Sequence, residues 1–431
     1  MEKQINPLDM AETLGQALEK GLVTERDTSV VFYDLTLLKD RIERLLSLFP
    51  KSALHAIAIK ANPLLRVLEY MRGLSEDSRL GLEAASLPEL TLALRAGYGP
   101  REIVFDSPAK TTEEIEFALA HGVHLNIDNL QELKRVDALV RQQAKRPKGS
   151  FGIRVNPQVG PGSIAATSVA GEYCKLGVPL SAHQKEIMDA FARFDWLKGI
   201  HIHIGSQGCG LDLLIHGVET AYAFARKINA RLGAGRVRIF DIGGGLPVSY
   251  KDRDNTPGFA DYVKGLKTSC PGLFEDEFQL ITEFGRAVHA GAGFTASRVE
   301  YVKPERNIRT AIVHVGADMF LRKCYNPEDW HHEVSVTDAK AGLKTETAAP
   351  YNIAGPLCFA GDILAREIPL PEIQQGDWVL IHDTGAYTLS MWSRYNSRPM
   401  PLVLGFEREP GRVFQVLKKR ESIQDVIAFW G

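Results

Sequence analysis

Eight short apolar runs lie between residues 53 and 284, most followed by sequence with helical spacing, and this alternation limits the fold more than any other feature of the chain. The runs are ALHAIAI (53–59), RLGL (79–82), EIVF (102–105), VHLNI (123–127), SFGIRV (150–155), LKGIHIHI (197–204), RVRIFDI (236–242) and FQLITEF (278–284). Between them, LPELTLALRAG (87–97) and TTEEIEFALAHG (111–122) repeat apolar residues at helical spacing and end on a glycine where a helix C-cap belongs. Strand then helix, repeated to eight, predicts an α/β fold, a (β/α)8 TIM-like barrel. An open doubly wound sheet is the alternative, but eight runs within about 230 residues suit the barrel better. Past residue 290, TASRVEYVKPERNIRTAIVHVGA and GDWVLIHDTGAYTLSMW are turn-punctuated, with no long helical pattern between them. They predict a second, mostly antiparallel β domain, a barrel or a sandwich. The expected organisation is an N-terminal segment, 1–35, whose strand TSVVFYDL (28–35) joins the β domain; the barrel, 36–290; and the β domain, 291–431.

With 431 residues, 45% of them hydrophobic, the chain can bury two such cores. Its 51 basic and 53 acidic side chains leave a formal net charge of −2, which argues against nucleic acid as a partner. No apolar run approaches a membrane span, and the N-terminus shows no apolar signal segment, so no membrane association is expected. Cys174, Cys209, Cys270, Cys324 and Cys358 are odd in number and form no C-x-x-C pair; they predict reduced thiols in a cytoplasmic protein.

Barrel active sites gather at the C-terminal ends of the strands. Those ends carry Lys60, Glu83, Asp106, Asp128, Arg154, His203, Asp241 and Glu283. Polar residues are ordinary where a strand meets solvent, and that account suits Asp106 and Asp128. It suits Lys60 less well, because AIAIKANP sets the amine deep against an apolar barrel mouth. Desolvation there lowers an amine's pKa and makes it a nucleophile able to form an imine. FDIGGGLP places Gly243, Gly244 and Gly245 directly after the seventh strand, where backbone N–H groups can cradle a phosphate, and EFGR adds Arg286 after the eighth. An imine-forming lysine, a phosphate cup and an acid between them describe a pyridoxal 5'-phosphate site. His201 and His203 also form an H-x-H metal pattern, but later strand ends add no histidine, so no metal is expected. Lys110, in DSPAKT, reads as a helix N-terminal residue, and the WHH of 330–332 as a surface turn or a substrate-loop feature.

In order, AIKANP, IRVNP, HIHIGSQ, FDIGGGLP, EFGR, GPLCFAGD and GDWVLIHDTGAYT resemble the motifs of the barrel-type (fold type III) pyridoxal-phosphate decarboxylases, the ornithine, arginine and diaminopimelate decarboxylases. HIHIGSQ and RVNP look closest to the diaminopimelate branch. The resemblance implies that Lys60 carries the cofactor as an imine, that His203 stacks on its ring, and that Glu83 and Arg154 approach that ring. It assigns the phosphate to Ser206, Gly243, Gly244, Gly245, Gly285 and Arg286, and places Tyr387 near phosphate or substrate. Glu283 would keep the ring nitrogen protonated; a racemase would have arginine there. Cys358 would reach in from the partner subunit of a homodimer to protonate the substrate carbon. Arg322 and Tyr325 resemble a carboxylate-binding pair, Glu172 lies in the specificity loop (160–177), and Asp362 matches an interface residue.

Three positions depart from the family. Glu83 replaces an aspartate, Phe284 replaces a proline and is expected to alter only a local turn, and Phe359 replaces the acid that grips a substrate's distal amine. An aromatic ring offers an ammonium only about 1 kcal/mol. The expectation is therefore decarboxylation of a diamino acid or a relative: a diaminopimelate-like compound, a carboxylated polyamine, a siderophore precursor or a D-amino acid. The alternative is meso-diaminopimelate decarboxylation in lysine biosynthesis. A non-catalytic regulator on the same fold would be expected to lack Lys60 or Cys358, and both are present.

Overall fold

The computed structural model describes residues 4–75, 78–143, 147–251, 256–408 and 411–431. They form two compact units, one from the described residues of 42–248 and 256–287, the other from those of 1–41, 249–255 and 288–431. The first division falls within the helix Leu35–Leu48.

The first unit is a closed parallel barrel. Its strands are β1 (Leu54–Ala58), β2 (Leu80–Ala84), β3 (Ile103–Asp106), β4 (His124–Ile127), β5 (Phe151–Asn156), β6 (Leu197–His201), β7 (Ile239–Asp241) and β8 (Gln279–Thr282). Sequential neighbours pair in parallel, and β8 closes on β1. Nearly every strand residue is buried because helices cover the outer face and side chains fill the inner one. Leu54, Ala56, Val104, Ile239 and Ile281 form an apolar layer. His124 and Asn126 alternate with Leu125 and Ile127 on β4; the Asn126 amide donates to the β7 carboxylate Asp241, and its oxygen meets His124 Nε2.

Local chemistry fixes the helices between strands. Thr111 caps the helix Thr112–His121: its hydroxyl accepts from the Glu114 N–H at 3.2 Å, and the Glu114 carboxylate accepts from the Thr111 N–H at 2.8 Å. Gly122, at φ +78°, ends it in a conformation that side chains disfavour.

In the second unit Ser29–Asp34 runs antiparallel to Gly293–Glu305 and parallel to Leu402–Glu407. Trp378–Ile381 extends this sheet antiparallel, and most of the remaining pairings are antiparallel, with one further parallel pair between Ile308–Val313 and Thr347–Ala354. Phe32 and Phe294 stack at 4.8 Å in its core, beside Met10, Leu14 and Ala17 of the helix Pro7–Glu19. Among the described residues no helix is long and apolar enough to cross a membrane.

Candidate active site

Lys60 sits not on β1 but in the single 3-10 turn Ile59–Ala61 that follows it. The expectation of a deeply desolvated amine is corrected here: the turn carries the side chain past the strand, leaving it 39% exposed, with Nζ 2.5 Å from Glu83 Oε2. Glu83 is fully buried, and burial pushes its carboxyl up to about 8 although Lys60 pulls the other way.

The glycine loop after β7 cannot tolerate side chains. A Cβ on Gly243 (φ +64°) would lie 2.4 Å from the Ile202 carbonyl oxygen, and one on Gly245 (φ +100°) 2.3 Å from that of Gly205. Asp241 anchors the loop, accepting from the Gly243 N–H at 2.9 Å and from Asn126 Nδ2 at 3.0 Å. The Gly244 N–H donates to His203 Nδ1 at 3.2 Å, fixing that ring. Arg286 Nε donates to Ser206 Oγ at 3.3 Å, with Gly285 buried in the turn before it, so the residues matched to a phosphate site converge. Phe284 does more than alter that turn. It is a core residue, packed edge-on against Phe259 at 5.0 Å and beside Phe49 and Tyr262.

Five carboxylates, Glu83, Asp106, Asp128, Asp241 and Glu283, are buried at the strand ends. Arg154 pairs with Asp106 at 2.9 Å. His201, fully buried, lies with Nε2 3.4 Å from Glu283 Oε2 and Nδ1 3.8 Å from Asp106 Oδ1. Burial works to raise Asp106, but Arg154 and then His201 outweigh it and hold the carboxyl well below the usual range. Burial likewise works against Glu283, and His201 again prevails, bringing it down to about 2. Asp241 moves the other way, raised by burial and by Glu283 beside it. His201, His203 and Glu283 bring ligand-type atoms within 4.8 Å of one another.

Several of the named residues make structural contacts. Lys110 stands just before the Thr111 cap, as expected of a helix N-terminal residue, and is a fully buried partner of Glu132 at 2.9 Å. Asp128 accepts from the Gly177 N–H at 3.1 Å. Glu172 is exposed on its loop, where its carbonyl accepts from Gln158. Asp362 is buried and accepts the backbone N–H groups of Ala317 and Leu357, at 2.5 and 2.7 Å.

In the second unit two groups of residues meet. The Arg322 guanidinium lies over the rings of Trp330 and Tyr387, at 4.8 and 5.1 Å from their centroids. Tyr387 holds φ +54°, a strained value for a bulky residue. The other group surrounds Cys358, an exposed free thiol, although free cysteines are usually buried. The Cys358 N–H donates to Asn396 Oδ1 at 2.7 Å, and the Tyr395 hydroxyl donates to the Cys358 carbonyl at 3.0 Å. Beside it Phe359 stacks on Tyr325 at 4.8 Å and 17°. His332 is held by the His382 carbonyl at 2.8 Å.

Sequence reasoning missed His124, Asn126, Tyr395 and Asn396. Polar residues at period two inside the apolar run VHLNI were a readable signal for the first pair. The others come together only through long-range packing.

The barrel mouth fits pyridoxal phosphate on its own chemistry. The glycine loop, Ser206 and Arg286 supply donors around a space that Cβ atoms would fill. Among the described residues, Glu283 Oε1 and Glu83 Oε1 are buried acceptors without a hydrogen-bond partner. Residues 35–290 match the model of the pyridoxal-dependent decarboxylases, pyridoxal binding domain. The chain belongs to that family and is a pyridoxal-phosphate-dependent amino-acid decarboxylase. It is 33% identical to the diaminopimelate decarboxylase of Helicobacter pylori (strain J99) over 387 residues, 87% of this chain and 88% of that one. It is 29% identical to the diaminopimelate decarboxylase of Aquifex aeolicus, over 95% of this chain and 93% of the relative. The crystal structure of the H. pylori diaminopimelate decarboxylase complexed with L-lysine superposes with a TM-score of 0.83, at 29% identity, covering 96% of this chain and 99% of the other.

Proposed function

We propose that this chain decarboxylates meso-diaminopimelate, the alternative among the sequence expectations, as a homodimer with shared active sites. The observation that carries the reading is the Lys60–Glu83 pair set against Glu283 in one barrel mouth, within a chain whose relatives are diaminopimelate decarboxylases.

When bound, pyridoxal phosphate supplies the electron sink for the bond to CO2. Lys60 would hold it covalently. Burial raises Glu83 toward neutral pH, so its carboxyl can take up or release a proton 2.5 Å from the Lys60 Nζ. His203, low at about 3 through burial, stays neutral and presents its ring in the orientation the Gly244 N–H imposes. Gly243, Gly244, Gly245, Ser206 and Arg286 bind the phosphate, and Glu283 offers Oε1 to the ring nitrogen. Cys358, exposed on a turn clamped by Tyr395 and Asn396, donates the proton that replaces CO2 in the active site of the second copy. Arg322, ordered by Trp330 and Tyr387, takes the distal carboxylate.

One observation favours a second reading. Phe359, stacked on Tyr325, offers a distal amine no hydrogen bond, which suits a diaminopimelate-like substrate whose tail is not a bare amine, such as a carboxylated polyamine or siderophore precursor. Carbon dioxide release from a panel of diamino acids separates the two. Fastest turnover of meso-diaminopimelate supports the first reading; a tail-modified substrate turned over faster supports the second.

A further inference from the structure

We propose that His201 is a charged positioning residue that holds Glu283 as an ordered carboxylate through one oxygen, leaving the other for the cofactor's ring nitrogen. The inference rests on the barrel mouth binding pyridoxal phosphate.

His201 closes β6 with no exposed side chain. Its backbone lies across from Arg154 on β5 and Asp241 on β7. The groups facing it come from every neighbouring strand. Glu283, just after β8, is 3.4 Å from Nε2, and Asp106 on β3 is 3.8 Å from Nδ1. The Asp241 carboxylate adds to their pull, while His124 on β4 and His203 on the following loop act on it as fellow imidazoles. A charge on His201 adds to Arg154, Lys110 and Lys60 in offsetting the carboxylate of Asp106, and to Lys60 in offsetting that of Glu283.

The contrast with the other buried imidazoles is the key point. Burial leads in lowering His124 to about 4 and His289 to about 3. His201 is as deeply buried, yet Glu283, Asp106 and Asp241 overcome that cost and bring it up to about 9. Same burial, opposite outcome: the difference is the carboxylates. A buried carboxylate with no charged partner takes up a proton, and a protonated Glu283 would lack the negative charge that favours a protonated ring nitrogen. His201 therefore acts on the reaction through Glu283. Because its folded value lies above the ordinary 6.5, its stabilising contribution is complete below pH 6.5 and is lost as pH rises through 9.

The test uses the full-length holoenzyme with isotope-labelled histidine. Side-chain nitrogen NMR of the wild type should show one buried imidazole carrying protons on both nitrogens at pH 7.5, with and without bound cofactor. His201→Gln should erase that signal. It should also lower kcat about tenfold or more, the equivalent of one pK unit on Glu283, move the acid limb of the pH profile upward and leave KM nearly unchanged. Should His201→Gln fail to fold, Asp106→Asn should lower the pH at which the wild-type signal titrates. A neutral His201 at pH 7.5, or a His201→Gln enzyme with the wild-type pH profile, overturns the proposal. Cofactor absorbance, read in the same samples, reports separately on whether pyridoxal phosphate is bound.

Discussion

At the barrel mouth buried ionisable groups hold one another, Arg154 on Asp106 and His201 between Asp106 and Glu283, and buried Glu83 holds the part-exposed Lys60. Around Cys358 in the second unit, the thiol is exposed and its turn is held by hydrogen bonds through the Cys358 backbone to Asn396 and Tyr395. A buried network costs several kcal/mol per unpaired charge, so each member is over-determined by its neighbours. An exposed turn fixes only where the backbone goes and leaves the side chain free to meet another molecule. On the proposed function the two regions would divide the labour, one ordering charge around a cofactor and the other presenting groups to a substrate or a second copy.

Changes should respect that division. The largest effect is expected from Lys60→Ala, which removes the covalent anchor: decarboxylation should be undetectable, and borohydride should no longer trap pyridoxal on the chain. Cys358→Ala should lower kcat about 10²–10⁴-fold, the usual worth of a placed proton donor. Its melting temperature and cofactor spectrum should match the wild type, since the thiol is exposed. Lys110→Met leaves Glu132 buried without its cation and should cost about 3 kcal/mol by denaturant titration. Phe359→Glu should give the smallest change. An acid there adds one charge-assisted hydrogen bond, about 1.5 kcal/mol or more, and should lower KM for meso-diaminopimelate by about tenfold. No change in KM would remove Phe359 from substrate recognition and blur the distinction between the two regions.

Much of this was legible in the sequence, for definable reasons. The barrel was readable because period two and period 3.6 alternate so regularly, and because caps such as Thr111 with Glu114 and Gly122 mark helix ends. Gly243 and Gly245 were readable as positions where only glycine fits. Burial was less accessible. Lys60 reads as desolvated from its apolar strand, yet the turn after β1 carries it outward. Lys110 reads as a helix end and stands there, before the Thr111 cap, but its burial against Glu132 was not legible. Phe284 reads as a turn variant, yet an aromatic cluster surrounds it. Each error concerns what long-range packing places around a side chain, which local pattern does not encode. His201 was noticed as a metal candidate; only the three carboxylates converging on it give the residue its charged role.

The account's central claim is that the barrel mouth of one copy works with the Cys358 turn of another. Co-expression of differently tagged Lys60→Ala and Cys358→Ala chains, followed by isolation of the doubly tagged species, tests it directly. If the active sites are shared, each parent is inactive or nearly so, and the mixed dimer carries one intact site of two, about half of wild-type activity per dimer. A doubly tagged species as inactive as its parents would contradict the claim and place both residues in the same copy's site.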